Sequence, residues 1–260
     1  MKKFLFRLCV ELTNHYYFSI IIKKFTTSSL SKPLIPHFVR TFNVNENEMD
    51  RPLLSYNNLH ELFTRKLKDG SRTIDKKEES VISPVDGVVA KNGKIREGET
   101  FFIKGQHYRL EEMLGSLEKA SKYKSGYYMI IYLSPSHYHR IHAPITATVL
   151  SKWALGKRSY PVNDIGLKYG KRPLSRNYRV ITEVKTNIGK DMAIVKVGAM
   201  NINSIELTHH EETIQKGEEL GYFSFGSTVV LLAEEGLLTS DGLKEGRTVF
   251  MGERIGYLKT

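Results

Sequence analysis

From about residue 71 almost to the C-terminus, charged turns separate short runs rich in valine and isoleucine. That spacing limits the chain to a mainly β fold. Residues 81–89, 100–104, 127–133, 145–153, 179–185 and 192–197 read as strands, and Leu110 to Leu114 as a short helical turn. Asp86-Gly87 is a common turn pair, so a hairpin or bend is expected within the first of these runs. Asn187-Ile188-Gly189-Lys190 reads as another turn. The segment Lys216-Gly217-Glu218-Glu219-Leu220-Gly221-Tyr222-Phe223 is echoed by Met251-Gly252-Glu253-Arg254-Ile255-Gly256-Tyr257-Leu258, so two similar tight turns are expected. Such turns also occur in lipoyl-type barrels and sandwich-like folds.

The first 70 residues differ. Residues 1–40 alternate bases with Phe4, Leu5, Phe6, Leu8, Val10, Leu12, Tyr16, Tyr17, Phe18, Ile20, Ile21, Ile22 and Phe25. Arg7, Glu11, Asn14 and His15 interrupt any run of about 20 apolar residues that could span a bilayer. Arg7 and Glu11 also spoil the apolar centre of a signal peptide. A basic, aromatic, amphipathic segment lying in the membrane interface fits better, against the plainer reading of helices packed on their own domain. Residues 33–42 suggest a short helix with Leu34, Ile35, Phe38 and Val39 on one side. Asn58 and Glu61 resemble a capping box for a helix carrying Leu59, Leu62, Phe63 and Leu67 and ending at Gly70. Arg65 and Lys66 read as a solvated face. The expected division is 1–70, helical and membrane-associating, and 71–260, β-rich.

Charge supports that reading. The net charge is +11. Lys2, Lys3, Arg7, Lys23, Lys24, Lys32 and Arg40 against Glu11 alone put more than half of it in the first 40 residues. Interleaved with long aliphatics, these bases suit an anionic lipid surface rather than nucleic acid. The single cysteine, Cys9, rules out an internal disulfide and a Cys-rich zinc site. Residues 157–176, with Lys157, Arg158, Lys168, Lys171 and Arg172, form either a basic rim over a site or a plain loop.

Two stretches carry candidate chemistry. The run at 127–133 leads into Ser134-Pro135-Ser136-His137-Tyr138-His139-Arg140-Ile141-His142-Ala143-Pro144, a loop at a strand end with three histidines. Imidazoles there suit acid–base work, or a metal site with Asp86 as a further ligand. In Phe223-Ser224-Phe225-Gly226-Ser227-Thr228-Val229-Val230-Leu231-Leu232, Gly-Ser-Thr interrupts an apolar strand and sets a serine against apolar walls.

Ser83-Pro84-Val85-Asp86-Gly87, then Tyr138-His139-Arg140-x-His142-x-Pro144, then Gly226-Ser227-Thr228 occur in the order and approximate spacing of the phosphatidylserine decarboxylases. Phe63-Thr64-Arg65-Lys66-Leu67, Val197-Gly198-Ala199-Met200-Asn201 and the segment 216–223 also resemble that family. The likeness runs from about residue 40 to the C-terminus and is to the short bacterial, pyruvoyl-dependent type. His137 stands where the family often has Asp, and Phe225 where Leu is common.

The resemblance implies an α+β, mainly β protein: a helical membrane-associating region, then a barrel- or sandwich-like catalytic domain. It implies a self-processing triad of Asp86, His142 and Ser227. Asp86 orients His142, His142 takes the Ser227 proton, and Ser227 attacks the Gly226 carbonyl. The chain then divides into 1–226 and 227–260, with Ser227 becoming a pyruvoyl group that condenses with the substrate amine and accepts the electrons released with CO2. His139 returns a proton to the substrate carbon. No resident metal is expected. The implied substrate is phosphatidylserine and the product phosphatidylethanolamine, at the cytoplasmic face of the cell membrane, by peripheral attachment. A homo-oligomer stays open. The rival readings are a zinc hydrolase using His137, His139 or His142 with Asp86, and a non-catalytic lipoyl-like binding module.

Overall fold

A computed structural model describes residues 16–95, 100–199, 204–240 and 242–259. The basic apolar segment expected at the N-terminus therefore lies outside the described residues up to position 15, as do Met200 and Asn201.

The expected strands form, and they pair antiparallel. Eight make one sheet, in spatial order Thr213–Ile214, Ala147–Leu155, Arg179–Thr186, Asp191–Gly198, Ser227–Ala233, Tyr127–Leu133, Gly87–Lys94 and Thr248–Val249. Strand Ser227–Ala233 is buried along its whole length. Its side chains alternate between two apolar cores, as a strand's period of two requires. Val229, Leu231 and Ala233 enter one core. Val230 and Leu232 enter the other. Each such aliphatic side chain contributes about 1.5–3 kcal/mol by leaving water.

The second core is covered by the hairpin Thr100–Ile103 and Gln106–Arg109, and by short helices including Leu110–Leu114. The first is covered by two open three-stranded sheets. One orders Ser80–Ile82, Arg254–Leu258 and Leu238–Ser240; the other Arg140–His142, Glu219–Phe223 and Ile205–Leu207. The result is layered and mainly β with open sheets, so the sandwich-like description fits and the closed barrel does not.

The two small sheets are related by an approximate twofold. Ile82 N–H donates to Pro144 O at 3.0 Å, and His142 N–H donates to Pro84 O at 2.8 Å. Ser83 exchanges backbone bonds with Gly252 and Glu253, as Ala143 does with Gly217 and Glu218. The echo between 216–223 and 251–258 is thus a structural repeat. Gly217 and Gly252 both adopt left-handed φ, +84° and +89°. A Cβ would strike Ile74 Cδ1 at 2.4 Å in the first and Thr73 O at 2.5 Å in the second. Each turn grips one proline-bearing segment, the first the histidine segment and the second the Asp86 segment.

The bend expected within 81–89 forms at 84–86, between Ser80–Ile82 and Gly87–Lys94, which belong to different sheets. Pro84 has no N–H to give a ladder, which favours the break. One sequence expectation needs correction. The helix begun at Asn58 does start with Asn58 Oδ1 accepting Glu61 N–H at 2.9 Å. It covers only Leu59–Phe63, however, and does not run to Gly70. Beyond it the chain bonds to a distant segment instead: Asp50 N–H to Lys66 O, and Lys68 N–H to Glu48 O.

Helices Tyr16–Thr27 and Ile35–Phe42 precede it. Ile35, Val39, Val44, Met49, Tyr56 and Leu62 form a small core of their own. Among the described residues no helix is long and apolar enough to cross a membrane.

One buried base stands out on the central sheet. Lys196 is fully buried, its Nζ donating to Thr182 Oγ1 at 2.7 Å. Burial, with Lys152 nearby, pushes its pKa down from 10.5 to about 7. Between those values the unfolded chain holds a proton that the folded chain has released, so folding stability rises with pH across that window. Each unit is about 1.4 kcal/mol. Lys196→Met is expected to flatten this rise by a few kcal/mol, checked by urea unfolding of both proteins at pH 7 and pH 10.

Candidate active site

Ser227 opens its strand and pairs with Leu133 on one side and Gly198 on the other. Alternation directs its side chain to the face shared with Val229 and Leu231, beneath the two small sheets. Its Oγ is buried and has no hydrogen-bond partner. Unmatched buried hydroxyls are uncommon, and one that persists calls for an explanation. Beside it, Gly198 leaves space that Ser204 fills: a Cβ on Gly198 would lie 2.2 Å from Ser204 Oγ. That second hydroxyl is likewise buried and unpartnered.

Asp86 lies in the bend between its two strands, 2% exposed. Its carboxylate accepts Arg72 Nε–H at 2.9 Å and Met251 N–H at 2.8 Å, and also pairs with Arg72 Nη2. Arg72 bonds to Glu48 at 2.9 Å as well. Burial works against the Arg72 charge, but the bonds to Asp86 and Glu48 outweigh it and raise its pKa. The ion pair fixes the carboxylate where the second repeat turn delivers it.

His142 is held by the other turn. Nδ1 lies 2.8 Å from Gly217 O, and Nε2 lies 3.2 Å from the Tyr138 hydroxyl. A carbonyl oxygen only accepts, so Nδ1 carries the proton and Nε2 is the basic atom, taking the Tyr138 O–H. Burial lowers the His142 pKa, which keeps the ring neutral near pH 7. The expected Asp86–His142 hydrogen bond is not made: the carboxylate is engaged by Arg72 and Met251, and the imidazole by Gly217 and Tyr138.

His139 is fully buried, with Nδ1 2.9 Å from His137 O and Nε2 without a partner. Burial first, then the Arg65 charge, holds its pKa well below 6.5. The Phe63 ring lies over it at 3.8 Å between centroids. His137 uses Nδ1 to accept Ser134 N–H at 2.9 Å. Among the described residues no three His, Cys, Asp or Glu side chains gather as metal ligands. The donor set of the zinc reading is therefore not assembled.

A cavity of about 410 Å³ reaches this end of the sheet. Phe38, Phe42 and Phe63 from the helical region line it, facing Ala199, Phe225 and Gly226. Pro161, Val162 and Asn163 close one side, while none of the bases of the segment 157–176 lines the cavity.

A buried carboxylate, two buried neutral imidazoles and an unpartnered buried serine hydroxyl, with Gly226 beside that serine lining an apolar cavity, are the equipment of an enzyme rather than of a binding module. The family model for phosphatidylserine decarboxylase matches residues 59–257. A phosphatidylserine decarboxylase proenzyme of Geobacillus sp. (strain WCH70) is 56% identical over 260 residues, covering 100% of both chains. One from Bacillus thuringiensis subsp. konkukian (strain 97-27) is 53% identical over 256 residues, covering 98% of this chain and 97% of the relative. The chain belongs to the phosphatidylserine decarboxylase family.

Sequence reasoning missed four residues of this site. Arg72 sat in a charge-rich stretch with nothing to mark it as the partner of Asp86. Tyr138 was passed over between two histidines. Arg65, read as solvated, is 4% exposed. Ser204 gives no signal of its own; only the sheet register brings it to Gly198.

Proposed function

We propose that this protein decarboxylates phosphatidylserine to phosphatidylethanolamine, using a pyruvoyl group made from Ser227 by cleavage of its own chain. The observation that carries the reading is the sealed, unpartnered Ser227 hydroxyl next to Gly226, with Gly226 on the wall of an apolar cavity. A hydroxyl without a competing hydrogen bond is free to turn toward the preceding carbonyl. A Cβ on Gly226 would meet only Ala199 Cβ, at 4.0 Å, so there is open space beside the Cα that carries this carbonyl.

In this reading Ser227 Oγ adds to the Gly226 carbonyl carbon. The C–N bond breaks, an ester forms, and the hydroxyl proton ends on the Ser227 nitrogen. His142 Nε2 is the base, once the Tyr138 hydroxyl yields its place or relays the proton. Asp86 acts without touching His142, by anchoring the segment whose Pro84 carbonyl holds the His142 backbone. Loss of the Cα proton then breaks the Cβ–Oγ bond, frees the Gly226 carboxylate and leaves dehydroalanine. Water replaces the nitrogen, which departs as ammonia. When formed, the ketone serves as the electron sink for decarboxylation. His139 has a bare Nε2, so it takes a proton from the substrate ammonium before returning one to the carbon that loses CO2.

Mass spectrometry tests this directly. The purified protein is expected as two fragments, 1–226 and 227–260, the smaller without a free amino terminus. An active, undivided chain would sink the reading. The fragments should stay together under native conditions, because Ser227–Ala233 is paired on both sides by strands of the larger fragment. Gel filtration should separate them only in denaturant. Gly198→Ala must displace Ser204, and overpacking of this kind costs about 1–3 kcal/mol. It is expected to slow the appearance of fragments several-fold, followed by gel electrophoresis.

The helical region is the proposed membrane-facing part, dividing from the catalytic domain near residue 70. Ile21, Leu30 and Leu54 are 65%, 75% and 77% exposed, and Lys32 lines a shallow cleft with Leu54. Phe38 and Phe42 from the same region line the cavity, so a lipid drawn from the cytoplasmic leaflet would reach Gly226 along apolar walls. Replacing Leu30 and Leu54 together by Glu is expected to weaken co-sedimentation with anionic vesicles at least tenfold.

A further inference from the structure

We propose that Arg65 is a positioning residue for His139, fixing that ring as the Nδ1–H tautomer and leaving Nε2 bare. The inference rests on the role given above to His139, and its test is chosen to stand apart from that role.

Arg65 follows the short helix Leu59–Phe63 and points inward, 4% exposed. Nη2 donates to Ser136 O at 2.9 Å and to His137 O at 3.1 Å. Nη1 donates to Leu62 O at 3.3 Å. The His137 carbonyl is the same oxygen that accepts His139 Nδ1–H. One guanidinium therefore holds both the loop and the acceptor that selects the tautomer. Phe63, two residues before Arg65, lies over the His139 ring. A five-residue helix and the arginine just after it thus fix the ring's plane and its tautomer from one side.

The charge has a second effect. The ionisable groups acting on His139 are Arg65, from the helical region, and His137, from its own loop; both disfavour a proton on His139. Asp86 and Arg72 act on His137, one ring further along. No carboxylate is among the groups acting on His139, and the hydrogen bond to the His137 carbonyl, which favours the proton, does not outweigh burial and the arginine. A cation beside a buried imidazole favours the neutral ring. The Arg65 charge and its hydrogen bonds thus serve one end: a base whose open nitrogen is not consumed before substrate arrives. Lysine cannot replace it fully, because a single ammonium lacks the planar fork that spans several carbonyls.

The test uses the uncleavable Ser227→Ala protein, so that it does not depend on the prosthetic group. Histidine nitrogen NMR should show His139 as a single Nδ1–H tautomer that resists protonation. Adding Arg65→Gln should bring in the second tautomer and raise the His139 titration midpoint by at least half a unit. Arg65→Lys should return the midpoint toward its original value while leaving the tautomers mixed. In the self-cleaving protein, Arg65→Gln should lower kcat at least tenfold with KM within twofold, and move the acid limb of kcat/KM to higher pH. An unchanged His139 tautomer and midpoint in Arg65→Gln would overturn the proposal. So would an equal shift at His142 with a lowered melting temperature, which would mark general loosening. If His139 responds as expected but the native protein is active without being cut, the proposal stands and the pyruvoyl reading falls.

Discussion

Ser227→Ala is expected to yield an undivided chain of 260 residues that folds normally and has no decarboxylase activity above background. The chemical effect is total, because alanine has neither the nucleophile for the Gly226 carbonyl nor the oxygen to leave from Cβ. The structural effect has the opposite sign from that of most core substitutions. The Ser227 hydroxyl is buried and unpartnered, and such a group costs about 1–3 kcal/mol in desolvation without a compensating bond. Alanine removes the oxygen and nothing else. The variant is therefore expected to match the uncut native protein in stability or exceed it by about 1 kcal/mol. Intact mass, activity and the melting temperature check the three parts together. A destabilised Ser227→Ala would mean that the hydroxyl makes a bond in solution that the fold described here does not contain.

The second large effect is at Asp86. Asp86→Ala leaves Arg72, whose side chain is 8% exposed, with only the partly exposed Glu48 as an ionic partner, and it leaves the Met251 N–H without an acceptor. Breaking a buried ion pair from one side costs about 3–5 kcal/mol. Cleavage should also fail, since the segment bearing the Pro84 carbonyl loses its anchor. The two consequences share a cause and can be separated. Asp86→Ala with Arg72→Met should recover part of the stability, because the charge left without its partner is then Glu48, whose side chain is 33% exposed to water, and the sum of the single losses should exceed the double loss. If cleavage returned with the stability, Asp86 would be purely a fastener. If it did not, the carboxylate has a further part in the chemistry. Urea unfolding and the time course of fragment formation provide the two measurements.

Much of the β architecture was legible because its signals are local. The run at Tyr127–Leu133 and the turn at 187–190 depend on neighbours a few residues away, and both form as read. The helix begun at Asn58 was overextended for the same reason. Leu59, Leu62, Phe63 and Leu67 match a helical period, but Leu67 is spaced by a bridge to Met49, not by a fourth turn. The site residues were visible as residue types at a strand end and beside a glycine. Their partners were not. An Asp86–His142 bond was what the family resemblance and the logic of a catalytic triad implied. The structure gives each group a closer partner, Arg72 from the preceding loop and Gly217 from a turn 75 residues further on. Such pairings are set by the meeting of the two repeat halves, which no window along the chain contains. The 216–223 and 251–258 echo hinted at those halves, but the match of Ser83-Pro84 with Ala143-Pro144 emerges only from their reciprocal backbone bonds.

The Met251 bond to Asp86 also bears on timing. Translation delivers Gly226 and Ser227 well before Met251, so a polypeptide still on the ribosome has its scissile bond but not the clamp on its acid. If Asp86 anchors the cutting segment as proposed, the cut waits until Met251 has reached Asp86. Conversion so timed would arm only those molecules in which the second repeat turn has already closed on the Asp86 segment.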